Sequence, residues 1–233
     1  MALVGAAYVR GYSGFGFSAI FIACAALVTN PVPLVPVVFS CEILMTLFQA
    51  RGIRGHVAWG RVGALLAGAI VSMPFAIAAI ATMGADTARF AISLLIFCLA
   101  LLLLTGLTIT RPLGLPAHLG VGTFSGVANA AGVGGLPVAT FLTAQPIPAA
   151  KFRATMIIFL TGIDLIALPL MWVNGLVTLD TALAICLAFP LLALGVWLGG
   201  RRFSAASPDD FRRFAILLLL ALSGAGLIKG AMT

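Results

Sequence analysis

Eight apolar stretches joined by short connections leave this chain almost no room for a water-exposed surface. They run over 8–28, 34–50, 57–82, 87–109, 117–143, 155–173, 179–198 and 211–228. A helix that spans a bilayer needs about 20 mostly apolar residues, and each stretch is of that order. Charge is correspondingly scarce: 13 basic and 6 acidic side chains among 233 residues. A soluble surface needs roughly a quarter to a third of its positions charged, so the composition excludes a soluble globule. The reading is an all-α polytopic membrane protein, a single membrane unit with no soluble domain between the spans and the lipid bilayer as its main partner. Nucleic acid is excluded as a partner, because the net charge of +7 is scattered through connections and forms no basic stripe.

Cys24, Cys41, Cys98 and Cys186 all fall inside apolar runs and none belongs to a C-x-x-C pair. They read as small buried hydrophobes, with no metal site and no cofactor expected. The N-terminus lacks a basic region and an A-x-A-type site, so no cleavable signal is expected.

Two stretches depart from ordinary spans. The first holds Gly11, Gly14 and Gly16; the fifth holds Gly126, Gly132, Gly134 and Gly135, then Pro137. Glycine weakens a helix interior, and proline suits the first turn of a new helix. Each stretch therefore reads as two half-helices around an unwound tip, the second half-helices starting near Phe17-Ser18 and Leu136-Pro137. The competing reading is an unbroken helix whose glycines serve close packing.

Short patterns recur in order. Gly14-Phe15-Gly16 returns as Gly132-Val133-Gly134, Pro31-Val32-Pro33 as Pro146-Ile147-Pro148, and Arg89-Phe90-Ala91-Ile92 as Arg213-Phe214-Ala215-Ile216, at offsets of 118, 115 and 124. This suggests a duplicated half, with residues 1–110 as the first repeat and 111–233 as the second.

Basic residues then discriminate between topologies, since cytoplasmic connections are enriched in Lys and Arg. If all eight stretches cross, the thirteen basic residues divide six against seven. If the two glycine-rich stretches are re-entrant hairpins, Arg51, Arg54, Arg61, Arg111, Lys151, Arg153, Arg201, Arg202, Arg212 and Arg213 share one face, and Arg10, Arg89 and Lys229 lie opposite. Ten against three is the expected bias. One hairpin plus three crossings has odd parity, so two copies form an inverted repeat, a transporter plan. Both termini then lie on the non-cytoplasmic side.

Broken helices survive in hydrocarbon only where they line protein or a cavity, and half-helix N-termini offer free N–H groups and partial positive charge. Two tips meeting near the midplane would suit a small anion. The candidate substrate-binding residues are Gly14, Gly16, Ser18, Ser125, Asn129, Gly132, Gly134, Gly135 and Thr140, with Ser13 as a further donor. Helix capping or back-bonding is the plainer role for the hydroxyls among them. Glu42 and Asp164 lie deep in apolar stretches, where acids are costly and point to function. They are the candidate proton-coupling pair, although a shift of 115 carries Glu42 to Ile157 and Asp164 back to Gln49. His56 and His118 fall at the rim and are assigned no role.

The stretch Gly132-Val133-Gly134-Gly135-Leu136-Pro137 through Lys151-Phe152-Arg153-Ala154-Thr155, with Pro-x-Pro and a new span after each glycine-rich element, resembles the TauE/SafE family of sulfite and organosulfonate exporters. The resemblance implies a proton-linked secondary carrier, an exporter of small sulfur oxyanions such as sulfite, sulfoacetate or sulfolactate, in the inner membrane of a bacterial cell. Its partners would be that anion and protons. The first half departs from the pattern, with Phe15 and Phe17 where a denser glycine run is usual. Two other readings remain at this stage. One is a channel-like pore for a small solute. The other is an intramembrane serine protease, from the match of Gly11-Tyr12-Ser13-Gly14 to G-x-S-G, for which no histidine lies at mid-membrane depth.

Overall fold

The computed structural model describes residues 2–53, 55–111, 113–202 and 208–231. Among them every regular element is helical. The order is α1 (Ala2–Ser13), α2 (Phe17–Ala26), a 3-10 turn (Val32–Leu34), α3 (Val35–Ile53), α4 (Trp59–Ala81), α5 (Ala85–Leu104), α6 (Leu115–Ala130), α7 (Gly135–Thr143), α8 (Ala149–Val173), α9 (Leu179–Arg202) and α10 (Pro208–Ala231). Trp59–Ala81, Ala85–Leu104, Ala149–Val173 and Leu179–Gly199 are long and apolar enough to cross a membrane. Their outer faces carry exposed Val71, Phe75, Leu183 and Leu187, a surface that only lipid can cover favourably. Trp59 and Trp172, exposed at helix ends, have the amphipathic rings suited to the headgroup boundary.

The two glycine-rich stretches are broken helices. α6 closes with a Schellman motif: the Gly132 N–H donates to the Asn129 carbonyl at 2.8 Å and the Val133 N–H to that of Ala128 at 3.1 Å, with Gly132 at φ 76°. That left-handed conformation is open to glycine at little cost. α1 ends more simply, the Gly14 N–H donating to the Arg10 carbonyl at 2.8 Å with Gly14 at φ 82°. The second half-helices begin at Phe17 and Gly135, in agreement with the sequence reading. Gly126 does not belong to the break; it lies inside α6 and serves packing.

The packing partners follow a pattern. α1 lies along α9 and α6 along α4; α3 crosses α8, and α5 packs on α10. α3 also touches α9, and α8 touches α4. Small residues allow close backbone approach at both broken helices. A Cβ at Gly122 would overlap the Leu65 carbonyl, and one at Gly68 the Leu119 carbonyl. On the other side, a Cβ at Gly195 would come within 2.6 Å of the Ala7 Cβ, and one at Gly199 would overlap the Tyr8 carbonyl. The main apolar core joins these elements, running from Phe17, Ile22 and Phe39 to Leu65, Ile96, Leu136 and Phe159, and a small second cluster is built on Ala154 and Ile157.

Candidate functional site

Arg10 sits in the last turn of α1 and is fully buried, so it is not the surface charge that counting loop residues made it. Its Nη1 donates to Glu42 Oε1 at 3.1 Å, and its Nη2 faces the Glu42 carbonyl at 3.5 Å and Thr46 Oγ1 at 3.3 Å. The ion pair is shielded, with side chains 0% and 1% exposed. Taking two charges out of water costs several kcal/mol per ion, which only close pairing and added hydrogen bonds offset. The arrangement therefore requires a specific return, and function at a buried charged site is the usual one.

The backbone around Arg10 is held from two sides. Gln49 Nε2 donates to the Arg10 carbonyl at 3.4 Å and Arg153 Nη2 to the Gly11 carbonyl at 2.8 Å. These carbonyls belong to the C-terminal turn of α1, where partners within the helix run out and cationic donors are favoured. Arg153 is half-buried and tied to the break, whereas the sequence reading left it among the cytoplasmic charges. Lys151 is exposed.

Asp164, on α8, is fully buried. Glu42, Arg10 and Asn129 face it, yet neither carboxyl oxygen reaches hydrogen-bonding geometry with any described group. The two acids, unequal under the repeat offset, thus belong to one cluster. Asn129 stands at the end of α6 with its Nδ2 buried, facing Asp164 and short of strict hydrogen-bond geometry with any described group, its Oδ1 against the site where a Gly134 Cβ would be, 2.5 Å away. Ser125 Oγ donates to the Gly134 carbonyl at 2.5 Å, a bond that braces the break. Thr140 Oγ1 back-bonds to the Leu136 carbonyl at 2.9 Å, the plainer of its two readings. Ser18 is buried in the first turn of α2. Gly16, at φ 93°, and Gly134 precede α2 and α7, and neither helix start has a side-chain cap; at α7 the Leu136 N–H donates to the Val133 carbonyl at 3.1 Å and Pro137 has no N–H, so backbone donors are left chiefly at the start of α2. Gly135 opens α7 with Leu160 Cδ2 at 2.9 Å from its would-be Cβ.

The tips do not chiefly meet each other. The nearest atoms to a Cβ at Gly14 come from Arg153 and Ile157 on α8; those nearest Gly132 come from Ile22 on α2 and Val35 on α3. The side chains of Ser13, Arg51, Arg54, Arg201, Arg202, Arg212, Arg213 and Lys229 lie outside the described residues. His118 is buried, its Nδ1 2.9 Å from the Gly114 carbonyl and its ring edge-on to Phe141. All four cysteines are free. Among the described residues no group of three His, Cys, Asp or Glu side chains could hold a metal ion.

Arg10, Thr46, Gln49 and Thr161 were not singled out from sequence. The signal for Arg10 was available: a mid-membrane acid demands a cationic or hydrogen-bonding partner, and position 10 places a base inside an apolar helix. Thr46 Oγ1 and Thr161 Oγ1 lie 2.7 Å apart, 115 residues apart in sequence, which is the offset of the Pro-x-Pro pair.

The family model described as sulfite exporter TauE/SafE matches residues 1–226, both broken helices and the buried cluster included. The chain belongs to the TauE/SafE family. It is a membrane transporter of the sulfite and organosulfonate exporter type. No curated protein and no solved structure matches the chain. Membership in a transporter family gives the intramembrane protease reading no support.

Proposed function

We propose that this TauE/SafE protein is a secondary carrier that exports small sulfur oxyanions, with proton coupling, by alternating access of two inverted halves. One observation carries the reading: a fully buried Arg10–Glu42 pair, with Asp164 beside it, at the breaks of two membrane helices. Donors for an anion and acids for a proton thereby share one buried region. Gly14, Gly16, Ser18, Ser125, Asn129, Gly132, Gly134, Gly135 and Thr140 remain the proposed lining, with Glu42 and Asp164 as the proton-carrying acids. Ser125 and Thr140 contribute chiefly through the carbonyls they bond, by holding the second break in shape.

The halves are 1–110 and 111–233, each a hairpin and three crossings in opposite orientation. The packing supports this. If α1 corresponds to α6 and α4 to α9, then α1 on α9 and α6 on α4 are counterparts, as are α3 on α9 and α8 on α4. Matching left-handed Gly14 and Gly132 support it further. So does the basic-residue count: with Arg10 buried and Arg153 tied to the first break, Arg89 and Lys229 alone oppose the other nine, on the proposed cytoplasmic face.

The test is a thermal-shift screen of the detergent-purified protein against sulfite, sulfoacetate, sulfolactate and taurine, with acetate, phosphate and chloride as controls. A ligand at about 100 times its Kd adds about 2.7 kcal/mol to the native state. Melting points raised by the sulfur oxyanions and unmoved by the controls are expected; equal shifts with acetate or phosphate would refute the selectivity. Saturable counterflow in proteoliposomes then separates a carrier from a pore.

A further inference from the structure

We propose that Arg10 is the counter-ion of the transported anion, and that the anion takes it from Glu42, whose freed carboxylate accepts a proton. The inference rests on the sulfur-oxyanion reading above and names the residues through which anion and proton are linked.

Among the described residues Arg10 is the one basic side chain with no solvent exposure. Two of its nitrogens are engaged by Glu42 and Thr46; Nε, buried, has no partner among the described residues. Asn129 Nδ2 is a second buried donor, directed toward Asp164 without closing a bond in strict geometry. Unmatched buried donors cost free energy, and a guanidinium fork fits an oxyanion's paired oxygens better than an ammonium does. Glu42 Oε1 occupies the place at Nη1 that an anion oxygen would take.

Charge arithmetic supplies the coupling. One guanidinium stands against two carboxyl groups and an arriving anion, in a site remote from water. Uncompensated charge there is prohibitively costly, so the entering anion must be matched by a proton. The charged and titratable groups facing Glu42 are Arg10 on α1, Asp164 on α8 and Cys41 on its own helix; Arg153 on α8 faces Arg10. α2 has Cys24 alone of titratable type, and the described side chains of α9 offer only Asp180 and Cys186, both exposed. Glu42 is the acid that loses its cation, so its carboxylate oxygen takes the proton from whichever aqueous side is open. Anion and proton bind, and leave, together, so export is driven by the anion's own outward gradient and carries the proton with it.

Calorimetry of methanesulfonate binding to the full-length protein, in buffers of different ionisation enthalpy, counts the protons taken up. This sulfonate carries a single charge throughout about pH 6 to pH 8 and does not titrate there, so any uptake belongs to the protein and one proton balances one anion. The wild type should take up about one proton per anion, with affinity falling about tenfold for each pH unit raised. E42Q should bind without proton uptake and without that pH dependence. R10Q/E42Q, which removes both charges and so leaves neither unpaired, should keep its melting point and bind nothing. Since E42Q alone strands a buried arginine, an independent measurement uses D164N. Infrared difference spectra should show a protonated-carboxyl band on adding methanesulfonate, assigned to Glu42 by its loss in E42Q/D164N. Proton uptake persisting in E42Q, anion binding by R10Q/E42Q, or no carboxyl band in D164N would each overturn the proposal. Failure of the wild type to bind methanesulfonate, sulfoacetate and sulfite alike would instead bring down the carrier reading beneath it.

Discussion

Gly14 and Gly132 hold the same left-handed backbone 118 residues apart, and each is closed in by a neighbour from another element. Alanine at either position meets two penalties. The left-handed region costs a residue with a Cβ about 1–2 kcal/mol. The new methyl would also stand 2.8 Å from Arg153 Cγ at Gly14, or 3.0 Å from Ile22 Cγ1 at Gly132. G132A should therefore lower the melting temperature by an amount matching about 1–3 kcal/mol, whereas G175A, equally left-handed but with open space around it, should show the backbone part alone. Equal effects would mean that the tip is not confined by α2. G14A should do more than destabilise, since Arg153 must move and its bond to the Gly11 carbonyl braces the turn that carries Arg10. At this scale the glycines were legible from sequence because local conformation decides them. Arg10 was not: its burial comes from α3 and α8, elements remote in sequence, and a single base near a chain start reads equally well as an anchor.

The broken helices owe their placement to glycine as well, though of another kind. Gly122 and Gly126 on α6 press against Leu65 and Ala69 of α4, while Gly195 and Gly199 on α9 press against the backbone of α1. Apolar side chains gain little from meeting in lipid, where tails are as apolar as leucine, so such pairs rely on contact at backbone distance. G122A would drive its methyl into the Leu65 carbonyl, and overpacking of this sort typically costs about 1–3 kcal/mol. The expected result is a lower melting temperature and a reduced monodisperse yield. G120A, two residues away and facing open space, should gain up to about 1 kcal/mol from helix propensity. If both variants melt alike, the α4–α6 contact does not set stability. The sequence offered breaking and packing as rival uses of the glycines, and both occur in one stretch: Gly132 breaks, Gly126 packs. Periodicity could not divide them, because which face of α6 meets α4 is a property of the assembled bundle.

Across the whole molecule, the apolar stretches made the all-helical membrane architecture legible, and the recurring short patterns and the bias of basic residues carry the proposed inverted-repeat topology. Apolar composition alone could not distinguish a hairpin from a crossing, as both consist of helices of similar hydropathy. The proposed topology makes a direct demand on the connections. With the native cysteines replaced, a membrane-impermeant maleimide should label a cysteine at Gly175 in intact cells and one at Gly55 only in inverted vesicles, both being turn glycines with open surroundings. The reverse pattern, or labelling of both from one side, would break the inverted-repeat reading.

One contact has a special standing in such an arrangement. Thr46 and Thr161, separated by the repeat offset, share a hydrogen bond at the α3–α8 crossing, and Thr46 lies one helical turn from Glu42. A bond between counterparts is carried onto itself when the halves trade places. Nearly every other touch between them would have to be surrendered on one side and rebuilt on the other as the carrier turns over. This one would persist throughout, an axle about which the rest would rock. The charges proposed to hold the cargo would then sit close to the axis, where a given rotation sweeps the shortest arc and the gates on either side would do most of the travelling.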